Sequence, residues 1–347
     1  MGFAARTHDD RPLAEAIVEQ PGLFSTVQDE GRTGFRRFGV PLGGALDTAS
    51  AALANALVGN QSEAAVIECT GVGPELYFPE CTVVAVCGGE FALFATDGTP
   101  LPTARAVWLT AGSRLRIGAA SRGYRAYLAV HGGWQTASVL GSRSTLARYG
   151  IGKPLAAGDR LLYHPVARDK PETAWREATT GVYVAKWSAG SWEDTRGQAP
   201  LEPIWVRAVA GEQASAFTQA AKRAFWHEPF RVDVKSDRMG VRLLGQTVAA
   251  PVGEMTSEPV VPGSVQVPPS GQPIVLLREC QTVGGYPKIA TVSSVDLDRL
   301  AQARPGSVVR FGEVSFRDAV TLYRRHRRML RAWLGQVRAQ AVALITV

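Results

Sequence analysis

Cysteine is scarce in this sequence: Cys69, Cys81, Cys87 and Cys280 are the only four, and no two stand in a CxxC pair. In a chain of 347 residues such scattered thiols predict reduced, partly buried side chains, which excludes a disulfide scaffold or a thiolate metal knot. The five histidines are equally dispersed and include no HExxH, so no metal site is expected. The GxxxxGK[ST] loop is missing, which removes the phosphate-loop route to ATP, and Gly71-Val72-Gly73 lacks the third glycine and following helix of a dinucleotide fingerprint. No apolar run approaches the length of a bilayer span, and Met1 to Glu19 has no basic start, apolar centre and small-residue cleavage site. The expectation is a soluble cytoplasmic protein with no membrane contact.

What is present is a core: 46% of residues are hydrophobic and 20% charged, enough for two domains. From Ala65 to Ile117 short β-branched runs alternate with turns at Gly71 to Pro74, Gly88-Gly89, Asp97-Gly98 and Ala111-Gly112, the spacing of a barrel or sandwich. Asp47 predicts the N-cap of a helix through Val58 with Gly59 behind it, and Asn55 on its packed face reads as a buried hydrogen-bonding residue. A second strand-rich unit runs from Ile204 to Phe311, interrupted by a short helix around Ser215 to Phe225. The expected division is an extension over 1–16, a β domain over 17–165, an interdomain segment over 166–200 and a second β domain over 201–347.

The formal net charge of +7 suggests nucleic-acid binding until it is located. Arg317 to Arg338 holds seven arginines and one acid, Asp318, so six of the seven net charges fall in one stretch. Leu322, Met329, Leu330, Trp333, Leu334 and Val337 recur there at helical spacing, which predicts a docked amphipathic helix with a solvated basic face and no nucleic-acid partner.

Polar residues concentrate in three places where rigid loops could expose backbone amides. Gln28, Asp29 and Arg32 precede a glycine-rich loop, and Ser142, Arg143, Ser144 and Thr145 place a guanidinium among hydroxyls, a set able to hold a carboxylate or phosphate. The third place, Pro262 to Val292, carries Gln266, Ser270, Gln272, Glu279, Thr282, Tyr286 and Lys288 around Pro268-Pro269 and Gly284-Gly285 turns. The plainer reading of all three is turn satisfaction and structural ion pairs.

QVPPSGQPIVLL and QTVGGYPKIATV, with TVQDEGRTGFRRFGVPLGGALD, AYLAVHGGW, LGSRST, AAGDRL, SDRMGVRL and SEPVVPGSVQVP, resemble the biotin-dependent carboxyltransferase family. That family includes the C subunit of bacterial 5-oxoprolinase, the Kip antagonist proteins and part of the carboxyltransferase region of urea carboxylase. The markers run from about Ile17 to Phe316, with Glu279 where an Asp is usual and Val283 where a Thr is usual. The resemblance implies a mostly β protein of two cyclophilin-like β-barrel domains with a few short helices and a C-terminal helix. It further implies one component of an ATP-dependent 5-oxoprolinase, with ATP shared with a partner. The partners would be a smaller, Kip-inhibitor-like B subunit together with an A subunit, and the substrate a cyclic amide. The alternatives are a carboxyltransferase half receiving carboxybiotin from elsewhere, and a non-enzymatic regulator. Lys288, Glu279 and Arg143 become the expected catalytic groups. Gln28, Asp29, Arg32, Ser142, Thr145, Gln266, Ser270, Gln272, Thr282 and Tyr286 become the expected substrate contacts.

Overall fold

The computed structural model describes residues 12–189, 203–251, 253 and 255–346. The chain is mostly β, with an eleven-stranded sheet in the N-terminal half, a closed barrel in the C-terminal half and, among the described residues, four α-helices. The expected β class is therefore observed, while the two halves close differently.

Two long strands, Thr82–Ala95 and Ser113–Val130, pair antiparallel along most of their length and form the spine of the sheet. Gly88-Gly89, expected as a turn, lies inside the first of them. Gly88 takes φ +118° at a register shift, and a Cβ there would meet the Arg125 carbonyl at 2.5 Å, so a bulge bends the strand where a side chain has no room. The boundaries expected at both ends of this half move. Ala14, Glu15 and Ala16 belong to the first strand, Ala14–Gln20, rather than to an extension. Trp175–Thr179 and Val182–Ala185, expected in an interdomain segment, form a hairpin that extends the sheet through Ala106–Leu109. The expectations for 1–11 and 190–200 lie outside the described residues.

The barrel runs Ile204–Ala210, Lys288–Val292, Ser264–Gln266, Ile274–Leu276, Gly240–Gly245, Phe230–Val232 and Val308–Glu313. It closes through parallel pairing of the first and last of these strands. Its core is anchored by Phe225, on the Gln219–His227 helix, stacked on Phe311 at 4.5 Å.

Asp47 caps the Thr48–Leu57 helix by accepting from Ser50 N at 3.0 Å, as expected. Asn55 is fully buried and bonds the Ala64 carbonyl and Asn60, the structural role its position predicted. The C-terminal helix, Phe316–Thr346, does not pack as part of the barrel core. Trp333, Leu334, Val337, Leu344 and Ile345 join the apolar cluster between the Thr48–Leu57 helix and the sheet, and Trp175 Nε1 donates to the Leu344 carbonyl at 3.4 Å. Met329, expected on the docked face, is exposed. No described helix is long and apolar enough to cross a membrane.

Candidate active site

The turn after Phe24–Gln28 organises the polar residues of the N-terminal half. Gln28, with no exposed surface, donates to Thr26 Oγ1 and the Thr145 carbonyl and accepts from Gly44 N at 3.1 Å, joining three segments. The Asp29 carboxylate accepts from Ser142 Oγ (2.6 Å), Ser144 Oγ (2.5 Å), Arg143 N (2.6 Å) and Gly31 N (2.8 Å). Burial pushes this carboxyl up, but the two hydroxyls and two amides together outweigh it and hold it below the usual carboxylate range. Asp29 is thus an ionised anchor held by four donors, three on Oδ1 and one on Oδ2. Arg32, 1% exposed, donates to the carbonyls of Val139, Ser142 and Ser144, so the LGSRST loop is held from both sides. Thr145 enters through its backbone, which donates to the Val27 carbonyl.

Gln28, Asp29, Arg32, Ser142 and Thr145, each expected as a substrate contact, instead come together in a mostly buried network that holds the loop carrying Arg143. That residue is half-buried at the rim of a cavity of about 330 Å³ also lined by Glu30, Glu63, Gly132, Gln135 and Ser138. Its guanidinium donates to the Thr136 carbonyl and to Gln135 Oε1 at 3.1 Å. Gln135, Ser144 and Glu63 were not among the expected contacts. Ser144 stood inside the hydroxyl cluster, whereas Gln135 follows His131-Gly132-Gly133-Trp134 and had no signal beyond that position.

Glu279 lies elsewhere. Arg238 Nε donates to Glu279 Oε1 at 2.6 Å, Arg238 Nη1 to Glu68 Oε1, and Arg238 Nη2 to the Gly44 carbonyl at 2.7 Å. Glu68, 1% exposed, is pushed up by burial and pulled further down by Arg238 and Arg125, so it stays charged in the seam between sheet and barrel. Gly44 is required there: at φ +87° a Cβ would lie 2.8 Å from the Asp29 carbonyl and 2.9 Å from Arg278 Nη2. The seam had one readable signal, a glutamate in the otherwise apolar-looking run Val66–Thr70, since a buried carboxylate demands a cation.

Lys288 occupies a third place. It opens its strand, as expected, and is 7% exposed, but its ammonium already meets Glu212 and Glu258, both at 3.0 Å. Burial pulls that ammonium down and the two carboxylates push it up by more, leaving it above the ordinary lysine range. The expectation of a positive charge facing a reacting group thus meets two carboxylates instead. Gln266 accepts from Gln281 and donates weakly to the Tyr286 carbonyl, Thr282 receives Val260 N, and Tyr286 is 45% exposed. Gln272 bonds both N and O of Gly245 and Ser270 is exposed, so these two satisfy a turn. Among the described residues no hydrogen bond or ion pair joins Arg143, Glu279 and Lys288 to one another.

Burial pushes all four free thiols up, so none is a ready nucleophile. No group of three potential metal-ligating side chains exists among the described residues. In the cavity at Arg143, Asp29, Glu30 and Glu63 oppose one guanidinium. That charge balance disfavours a triphosphate.

Residues 38–313 match the family model described as carboxyltransferase domain, subdomain A and B. The chain is 35% identical over 314 residues to the C subunit of 5-oxoprolinase from Escherichia coli K12, covering 87% of this chain and 92% of that protein. Among solved structures, TTHA0988 matches with a TM-score of 0.72 and 37% identity over 88% of this chain, which spans 57% of that longer chain. The urea carboxylase of Kluyveromyces lactis matches with a TM-score of 0.78 and 26% identity over 94% of this chain and 30% of its own.

Proposed function

Because the chain belongs to the carboxyltransferase domain family of subdomains A and B, we propose that it serves as the C-type component of an ATP-dependent 5-oxoprolinase, opening the lactam of 5-oxoproline to glutamate. The observation that carries this reading is the correspondence with the Escherichia coli protein over 92% of that protein's length. In this reading a smaller Kip-inhibitor-like protein of the B type and a protein of the A type complete the enzyme, and ATP is shared with them. TTHA0988, in which the matched part is 57% of the chain, supports a unit of this kind working beside further protein.

The cavity at Arg143 takes the lactam. Arg143, presented by the Asp29 anchor and steadied by Gln135, holds the single carboxylate of the substrate through its guanidinium fork, and Ser138 offers a hydrogen bond to the ring amide. Asp29, held by four donors and below the usual carboxylate range, positions the loop and is a weak base. The test is coexpression with candidate partner proteins followed by assay of glutamate release from 5-oxoproline with ATP. Turnover by the complex and none by the isolated chain is the expected result; full turnover by the chain alone overturns the need for partners.

A second reading, a biotin-dependent carboxyltransferase half acting on a urea-type substrate, is favoured by the match to the urea carboxylase fold over 94% of this chain. Under it the same cavity takes the ureido ring of biotin delivered from another protein, and avidin abolishes the activity of the complex. Avidin-resistant lactam opening excludes this reading.

A further inference from the structure

On the far side of Glu30 a second cavity, of about 430 Å³, opens between the start of the Thr48–Leu57 helix, the barrel loop at Arg278, the short Leu297–Ala301 helix that carries Asp298, and the C-terminal helix. Its charge is the reverse of the first. Three arginines, Arg278, Arg327 and Arg331, line it with His326, against two carboxylates, Glu30 and Asp298. The carboxylates are already engaged: Asp298 Oδ1 accepts from Thr48 N (2.9 Å) and Thr48 Oγ1 (3.1 Å), and Glu30 Oε1 from Ser62 Oγ (3.3 Å).

The arginines are not matched in the same way. Arg278 donates through Nε to the Gly43 carbonyl and through Nη2 to the Glu30 carbonyl, while Nη1 has no hydrogen-bond partner among the described residues. Burial and then the nearby Arg238 push its pKa down, against the opposing pull of Asp298, Glu68 and Glu30. Arg327 leans over Tyr323, 5.6 Å from the ring, and donates to its hydroxyl, while Arg331 has no hydrogen bond or ion pair among the described residues. Arg327 and Arg331 are four residues apart on one helix, a like-charge spacing that weakens a helix, so their shared placement does not serve helix stability. Guanidinium groups converging from a barrel loop and a helix, with the Ser294 hydroxyl beside them, match tetrahedral oxyanions.

We propose that this cavity binds a phosphate-bearing anion, held by Arg278 from the barrel and by Arg327 and Arg331 from the C-terminal helix. The proposal does not depend on the lactam-opening reading. Free pyrophosphate and the tail of a nucleotide share this chemistry, and the experiment separates them.

Isothermal titration of the full chain with sodium pyrophosphate, and separately with ATP, at constant ionic strength gives one site per chain. The double variant Arg327→Ser/Arg331→Ser, both exposed positions, weakens binding by about thirtyfold or more, as expected for lost charge-assisted bonds. Arg324→Ser/Arg328→Ser removes the same charge from the same helix outside the cavity and changes binding by less than about threefold. ATP binding at least about tenfold tighter than pyrophosphate assigns a nucleotide, and equal affinity assigns a free polyphosphate. No binding at millimolar pyrophosphate, or equal weakening in both double variants, overturns the site, the second because it reports diffuse attraction to a basic helix.

Discussion

The two cavities share the wall made by Glu30, yet one is ringed by carboxylates around a single arginine and the other by arginines around two engaged carboxylates. The difference lies in how each buried charge is satisfied. Asp29 is solvated by hydroxyls and amides, so no cation is consumed and Arg143 keeps its charge at the rim. In the seam, Glu68 and Glu279 take Arg238 instead, and Arg278 is left with an open nitrogen toward the second cavity. One scaffold thereby places two cavities of opposite charge balance on either side of Glu30.

The comparison breaks most severely at Arg238, which fixes the Gly44 carbonyl between the two sites. Arg238→Met leaves Glu68 buried without its nearest cation, and urea unfolding is expected to show a loss of about 3–5 kcal/mol. Combining it with Glu68→Gln should restore part of that loss, since the stranded charge is then gone. A single-variant loss below about 1 kcal/mol would mean that the seam is not held by this pair.

Asp29→Asn is the next largest. The amide cannot accept all four donors, and a loss of about 2–3 kcal/mol is expected from two charge-assisted bonds or more. The sign with pH follows from a folded-state pKa below the unfolded one. The stabilisation is complete above about pH 4 and is lost as pH falls through the lower folded value. The difference between wild type and variant should be flat from pH 8 to 5 and shrink in stronger acid, measured by urea midpoints across that range. An offset that changes between pH 8 and 5 would assign Asp29 a titration in the neutral range and make it a candidate base.

Arg143→Lys sharpens the comparison on its functional side. The backbone amide of residue 143, not its side chain, holds Asp29, so the loop survives the change while the planar fork is lost. Turnover of the assembled complex should fall about ten- to a hundredfold, and stability by less than about 1 kcal/mol. Unfolding with intact turnover per folded molecule would return Arg143 to a purely structural role.

The sequence was readable where local chemistry decides. Strand alternation, the Asp47 cap, the buried Asn55 and the amphipathic C-terminal helix are all set by neighbours a few residues apart. The gathering of Gln28, Asp29, Arg32, Ser142 and Thr145 was legible only through the family resemblance, because more than a hundred positions separate its two halves. Three things were not decided by local sequence. The Gly88-Gly89 bulge carries the same letters as a turn, and only the pairing of two long strands tells them apart. Trp175 and its hairpin looked like linker because the stretch around them is polar and poor in periodic runs, while its tryptophan is buried against a helix 169 positions later. Arg238 and Glu68, 170 positions apart, are matched solely by the packing of barrel on sheet.

Lys288 gives the smallest expected effect. It sits in the barrel away from the residues lining either cavity, and its charge is already opposed by Glu212, 73% exposed, and by Glu258. Lys288→Met trades this pairing for apolar packing, and because Glu212 remains in water and Glu258 keeps Gln213 Nε2 at 2.9 Å, the stability loss should be about 1 kcal/mol or less. A folded-state pKa above the unfolded value means that the lysine's contribution is complete at neutral pH and fades only as pH rises through the folded value, so the effect should be the same at pH 6 and pH 9. Turnover of the complex should stay within about threefold of wild type, since a cation matched by two carboxylates has little field left for a developing oxyanion. A hundredfold loss of kcat at normal stability, the size seen when a preorganised transition-state contact is removed, would instead place the reacting group in the barrel and reduce Arg143 to substrate binding.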